Sequence, residues 1–385
     1  MMIYPGGDER AIRTQRMIKD WAESRLITPE QRDPMIGDVQ VDYRRTNLFL
    51  RATMFVFGFG ILMAAVFLVA DSIRAGSTGM SVLALIAAGG AFFGAQAVIA
   101  KWRLYRFGIE EALASGSIVL FAWGATMFLD GNYSSFRLFL GIAGAAFIVF
   151  RRFGFLYAGV AAVLFAGMTP FNLTFTSGLI ADTPRRMAAI IVLLVIFGLA
   201  RERRKDFDTE FPGDLYGVME ATAWAAIYVL TNLKISAWLS VPDDGVPVVY
   251  WTTYLFTWIL PAVGLRLAIG DRHRWLLDAS IVMAIVTVMT NKSYLGGVRQ
   301  PWDPILFGLM MIAVALVLKR WLSSGAGGSR NGFIAERLLA SEQKRLAIAG
   351  GGAALGPGAP QPHTHEPPPA FGGGHSGGAG AAGKF

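Results

Sequence analysis

The sequence predicts an all-α, polytopic transmembrane bundle of about ten spans with both ends in the cytoplasm. Three observations predict it: a low charge content, ten long apolar runs, and basic residues that gather on alternate connections. Only 16% of the 385 residues are charged and 54% are hydrophobic, whereas a typical soluble domain is about 25% charged. Low charge alone also fits a low-complexity chain, so run length decides. Crossing a ~30 Å hydrocarbon core takes about 20 apolar residues, and stretches such as 52–70 and 81–100 supply them.

The apolar runs lie at roughly 48–70, 80–100, 110–129, 134–150, 153–171, 184–200, 215–233, 248–266, 275–290 and 304–321. Lipid offers no partner to a backbone polar group, so each run must be helical. A membrane barrel would show short alternating segments instead. Thr183-Pro184 and Asp303-Pro304 are helix-opening pairs, because a proline at the first helical position gives up only an orphan N–H. Asp214, after Pro212 and Gly213, is a third cap. Runs four, six and nine are short, and Arg151-Arg152 leaves a tight link, so eight or nine crossings are the alternatives.

Orientation follows from the basic residues. One set of run ends carries Arg44, Arg45, Arg51, Lys101, Arg103, Arg106, Arg151, Arg152, Arg201, Arg203, Arg204, Lys205, Arg266, Arg272, Arg274, Lys319 and Arg320. The other carries Arg74, Arg137, Arg185, Arg186, Lys234, Lys292 and Arg299. The richer side is cytoplasmic by the positive-inside rule, and that rule accounts for the net charge of +8 without a nucleic-acid partner. Trp302 and Trp321 bracket the last run, about 28 Å apart along a helix, which suits two interfacial belts.

Residues 1–47 form a polar cytoplasmic segment with no cleavable leader, so the first span directs insertion. Within it, 8–25 reads as a helix with Ala11, Ile18, Trp21 and Ala22 on one face. Thr28-Pro29-Glu30-Gln31 opens a second helix through a capping box, which Pro34 cuts short. The bundle occupies 48–322. An amphipathic cytoplasmic segment follows at 323–349, with a helix expected over 331–348. The Gly-, Pro- and His-containing tail at 350–385 is too poor in large apolar residues to fold.

Ionisable residues within membrane helices are the usual functional markers. Glu110, Glu111, Glu220 and Asp278 all lie near cytoplasmic helix starts, where the helix dipole favours an acid. The pairs Arg106–Glu110 and Arg274–Asp278 have i, i+4 spacing and read as a structural charge cluster with Glu111. Glu220 lies six residues beyond Asp214, about 9 Å deeper along the axis. It is therefore the candidate for lining a substrate cavity, together with the Pro261 kink and Arg266. The bland reading of each is packing. Gly90-x-x-x-Gly94 and Gly141-x-x-x-Ala145 mark close helix seams. His363, His365 and His375 lie in the tail without supporting ligands, and there is no cysteine, so no metal site is expected. No phosphate loop, metalloprotease, nucleophile-elbow or dinucleotide motif occurs, so no cofactor is expected either.

The stretch Trp21-Ala-Glu-Ser-Arg-Leu-Ile-Thr-Pro-Glu-Gln31, leading through Arg44-Arg45-Thr46-Asn47 into the first span, resembles the opening of a family of predicted bacterial multi-pass membrane proteins of unknown function. The resemblance covers about the first hundred residues, and Pro34 departs from its pattern. It implies a bacterial inner-membrane location and carries over no catalytic residue. The expected partners are the bilayer, further copies of the chain and other membrane proteins. The leading functional expectation is interaction or assembly without catalysis. The alternatives are a small-molecule or ion transporter with a cavity near Glu220 and Pro261, and a membrane-embedded enzyme acting on a lipid.

Overall fold

The computed structural model describes residues 3–126, 128–129, 134–173, 182–205, 215–238, 246–297, 300–325, 329–330 and 333–334. Arg337–Phe385 separates as a second unit and lies outside the described residues, as do the tail histidines and Asp214. The regular structure among the described residues is helical apart from a short strand pair, Ser329–Arg330 against Phe333–Ile334, and an isolated bridge between Arg44 and Leu104. Phe333 and Ile334 therefore do not open the helix expected at 331–348, whose other residues lie outside the described ones.

Every apolar run is a helix: α3 (Leu48–Ser72), α4 (Ser77–Trp102), α5 (Ile109–Thr126), α6 (Ser134–Phe153), α7 (Leu156–Met168), α8 (Asp182–Lys205), α9 (Leu215–Thr231), α11 (Pro247–Gly270), α12 (Arg274–Tyr294) and α13 (Asp303–Ser323). A short α10 (Leu233–Trp238) follows α9. Six helices are long and apolar enough to cross a membrane: α3, α4, α8, α11, α12 and α13. Two shorter apolar helices span Leu156–Asn172, which ends in a 3₁₀ turn, and Leu215–Thr231. The core is continuous through α4 to α9, α11 and α12, and Phe150, Phe153, Phe155, Leu193, Tyr228 and Leu276 are among its most buried large side chains.

Two features of the N-terminal segment differ from expectation. Helix α1 (Gly6–Glu23) turns Ile12, Gln15 and Ile18 inward, while Ala11, Trp21 and Ala22 are only half-buried. Its docking surface is the end of the bundle: the Ile3 amide donates to Arg152 O at 2.8 Å, and Tyr4 packs edge-on against Tyr105. Helix α2 (Pro29–Asp38) continues through Pro34 instead of stopping there. A proline removes the ladder bond its own N–H would make and crowds the carbonyl four residues back, so a short helix carries it at a cost. The capping expectation holds on its backbone side, with the Thr28 amide donating to Gln31 Oε1 at 3.0 Å.

The tight link between the fourth and fifth runs is also displaced. Arg151 and Arg152 belong to the last turn of α6, where cations suit the negative end of the helix dipole. The reversal is made by Gly154 at φ +69°, a left-handed conformation that suits glycine, with its amide on Phe150 O at 2.8 Å.

Pro261 sits inside α11 and is buried. Its ring removes the N–H that would bond the Thr257 carbonyl one turn earlier. Thr287 of α12 takes that place, its hydroxyl lying 2.8 Å from Thr257 O. Gly264, one turn on, lets α11 close against Trp224 and Ser280, where any Cβ would collide. The expected kink is thus a filled joint between α9, α11 and α12.

Thr287→Val should therefore destabilise the protein in detergent micelles by about 1 kcal/mol, the scale of a lost buried hydrogen bond. In a Pro261→Ala background, where residue 261 regains its own N–H for Thr257 O, the same change should cost distinctly less. Strict additivity in a denaturant titration of the four proteins would exclude this account.

Candidate functional site

The densest group of charges surrounds Glu220, one turn into α9. Glu220 is fully buried, and Arg204, from the last turn of α8, donates to its Oε2 through Nε at 2.6 Å. Arg204 Nη2 also reaches Asp271 Oδ2 at 3.0 Å, and Arg201 pairs with the same oxygen at 2.7 Å. His273, in the turn after Asp271, lies with Nδ1 3.8 Å from Glu220 Oε2. Neither His273 nitrogen nor Glu220 Oε1 has a hydrogen-bond partner among the described residues. Burial, with the Arg204 guanidinium beside it, pushes His273 down to about 4, so the imidazole is neutral near pH 7. The group arises because α8 ends in basic residues, α9 carries an acid just beyond its first turn, and the α11–α12 turn brings Asp271 and His273 to them. Spacing pointed to Glu220. It could not reveal Asp271 and His273, which come from the far side of the fold, and a histidine inside a polar interhelical turn was their only signal.

From Glu220 a buried stripe runs up α9 through Trp224, Tyr228 and Asn232, four residues apart each time. The Tyr228 hydroxyl lies 2.8 Å from Thr287 Oγ1. Asn232 Nδ2 donates to Tyr228 OH and to Thr290 Oγ1, both at 3.1 Å, while its Oδ1 accepts from the Lys234 and Ile235 amides. All of the hydrogen-bonding capacity of Asn232 is thereby used, and it opens α10. The Tyr294 hydroxyl accepts from the Leu233 amide at 2.6 Å, and Tyr254 donates to Asn291 Oδ1 at 2.7 Å. This seam joins α9, α11 and α12 through side-chain hydroxyls. Asn232 thereby links the end of α9 to α12.

The remaining expected positions are spread elsewhere. Arg266 is exposed on α11 and makes no ion pair with the Glu220 group. Glu111 is held by Arg51 of α3, with Arg51 Nε to Glu111 Oε2 at 2.6 Å. The Arg106–Glu110 pair does not form. Arg106 precedes α5 in a left-handed conformation at φ +51°, so the helical i, i+4 register does not apply to it. It lies over the Tyr105 ring instead, and Glu110 accepts from the Phe107 amide at 2.5 Å. Glu110 Oε2 and Tyr4 OH are both buried without a hydrogen-bond partner among the described residues. Burial and the nearby Glu110 carboxyl push the Tyr4 phenol above its ordinary value. Arg274 and Asp278 come within 3.9 Å on the exposed face of α12, at the spacing expected of them. Gly141 lies close against Phe121 and Gly94 adjoins Leu113, whereas a side chain at Gly90 would meet open space, so only Gly141 marks a tight seam within the chain.

A separate apolar cleft opens between α6, α7, α8 and α9. Its walls include Phe147, Ala162, Ile196 and Met219, and Arg151, Arg203 and Tyr216 stand at one end. No group of three or more metal-ligating side chains occurs among the described residues.

Searches of family models, curated proteins and solved structures for similarity to this chain find no match. The functional reading therefore rests on the geometry of the chain itself.

Two outcomes follow from the buried charges. Arg204→Met strands Glu220 without its counter-ion and should cost about 3 kcal/mol or more, whereas Arg204→Met with Glu220→Met should recover most of that loss. A double variant no more stable than the single one would show that the pair is not what holds α8 to α9. His273 binds its proton below its unfolded value of about 6.5. Between pH 6.5 and pH 4 the unfolded chain is therefore protonated at this site while the folded one is not, and folding stability falls as pH drops through that window. Melting profiles over that range should flatten by up to about 3 kcal/mol in His273→Gln. An unchanged slope would mean that His273 is not shielded from water.

Proposed function

We propose that this chain is a multi-pass protein of the bacterial inner membrane, with ten crossings and both ends in the cytoplasm, that acts by interaction or assembly and not by catalysis. The topology draws support from which ends meet. Contacts such as Arg51–Glu111, Ile3–Arg152 and Arg204–Asp271 join residues from the basic-rich set of run ends. Contacts such as Lys292–Asp303 and Tyr250–Tyr294 join residues from the other set. Odd and even helices alternating through one bilayer would produce this sorting.

One observation carries the functional reading. Charges that a transporter or a membrane hydrolase would present to a substrate are paired inside the chain, although Glu220 Oε1, Glu110 Oε2 and the His273 ring have no hydrogen-bond partner among the described residues. Glu220 is taken by Arg204, Glu111 by Arg51, and the Pro261 break by Thr287. The N-terminal segment is arranged the opposite way. Helix α1 is anchored by Ile12 and Ile18, while α2, which it carries, buries none of its own residues. An ordered helix that stabilises nothing beneath it is placed to meet a partner.

A transport reading draws on the polar seam through Tyr228, Asn232, Thr287 and Thr290, because hydroxyl chains can pass protons. Its groups are already saturated with one another, which favours stability over conduction.

The chain contains no cysteine, so each introduced one is a unique reporter. Cysteines at Asp38 and Ser324 should react with an impermeant reagent only after the inner membrane is opened, and one at Leu295 should react before. Opposite reactivity at Asp38 and Ser324 would refute an even number of crossings. Met35→Cys with a short bifunctional cross-linker should give one discrete product in native membranes, unchanged by Glu220→Gln. A chain that stays uncross-linked, together with a proteoliposome flux abolished by Glu220→Gln, would refute the assembly reading in favour of transport.

A further inference from the structure

We propose that the cleft between α6, α7, α8 and α9 holds an acyl chain of an anionic phospholipid whose phosphate lies between Arg151 and Arg203. The cleft has a volume of about 360 Å³ and is lined almost wholly by apolar atoms. It exists because the facing helices meet there through alanines, Ala143 on α6, Ala162 and Ala166 on α7 and Ala200 on α8, which leave space that larger side chains would fill. Its length follows from helix geometry. Ala143 lies eight residues before Arg151 and Ile196 seven before Arg203, so the slot runs about 10–12 Å from the arginines along both helices.

Charge selects the occupant. Two arginine doublets end the two helices, Arg151-Arg152 on α6 and Arg203-Arg204 on α8. In each doublet the second residue turns to a partner in the bundle: Arg152 donates to Gln96 Oε1 at 2.8 Å and Arg204 to Glu220 Oε2 at 2.6 Å. The first residue of each lines the cleft, is exposed, and makes no ion pair with a described residue. Two cations that make no ion pair among the described residues, at the mouth of an apolar slot, complement one anionic group on an apolar tail. Free phosphate would satisfy the cations and leave the slot unused, and a neutral lipid would do the reverse. Basic pockets between membrane helices bind anionic headgroups on the same grounds. This inference rests on the membrane reading and is independent of the assembly reading.

Native mass spectrometry of the full chain in a neutral detergent, with phosphatidylglycerol or phosphatidylcholine added, tests it. One phosphatidylglycerol per chain should be retained where phosphatidylcholine is not, and millimolar inorganic phosphate should not displace it. Arg151→Gln with Arg203→Gln changes only exposed side chains and should weaken retention about 25-fold, roughly fivefold per arginine. Ala166→Phe fills the slot, leaves both arginines in place, and should abolish retention while circular dichroism is unchanged. Equal retention of the two lipids, displacement by inorganic phosphate, or undiminished retention in the double arginine variant would each overturn the proposal. Recovery of the wild-type chain in the aqueous fraction would instead overturn the membrane reading.

Discussion

Hydrocarbon neither donates nor accepts a hydrogen bond, and the polar groups of this chain are disposed accordingly. Backbone groups close within helices. Where α11 loses one of those bonds at Pro261, a hydroxyl from the neighbouring helix takes its place. Where α9 ends, the side chain of Asn232 saturates itself against Tyr228, Thr290 and the first amides of α10. Arg186, buried near the start of α8, donates to Leu230 O at the end of α9. At the opposite end of the same two helices Arg204 meets Glu220. An antiparallel pair is thereby locked at both ends by arginines, with apolar packing between them.

The buried ion pairs carry a design cost. Taking a carboxylate and a guanidinium out of water gains little over an apolar pair of the same size, but leaving either one alone is severe. Arg204–Glu220 is buried on both sides, whereas Arg51 keeps part of its side chain exposed beside the buried Glu111, so the loss of one partner weighs most at Glu220. The Glu220 group couples three separate parts of the chain in this way, the end of α8, the start of α9 and the α11–α12 turn. The N-terminal segment is tied in by gentler means: main-chain bonds from Ile3 and Arg44, and the Tyr4, Tyr43 and Tyr105 rings. Its attachment to the bundle end leaves α2 facing away from the core.

Sequence alone determined where the long helices lie. Each of the ten apolar runs is a helix, six of them long and apolar enough to cross a membrane, while α10 and the strand pair left no local signal. The helix start at Asp303 and the i, i+4 pair Arg274–Asp278 were legible because each is decided within one or two turns. What only tertiary structure decided lies between elements. The register that fails for Arg106 and Glu110 depends on where α5 begins, which Arg51 and Gly108 settle from outside the helix. Asp271 and His273 join Glu220 across some fifty residues of chain, and Thr287 finds Thr257 across thirty. The cleft beside Arg151 and Arg203 is a gap among alanines on three helices. Local patterns record the preferences of single helices, whereas partners and cavities belong to pairs and triples of helices, whose relative placement no local periodicity encodes.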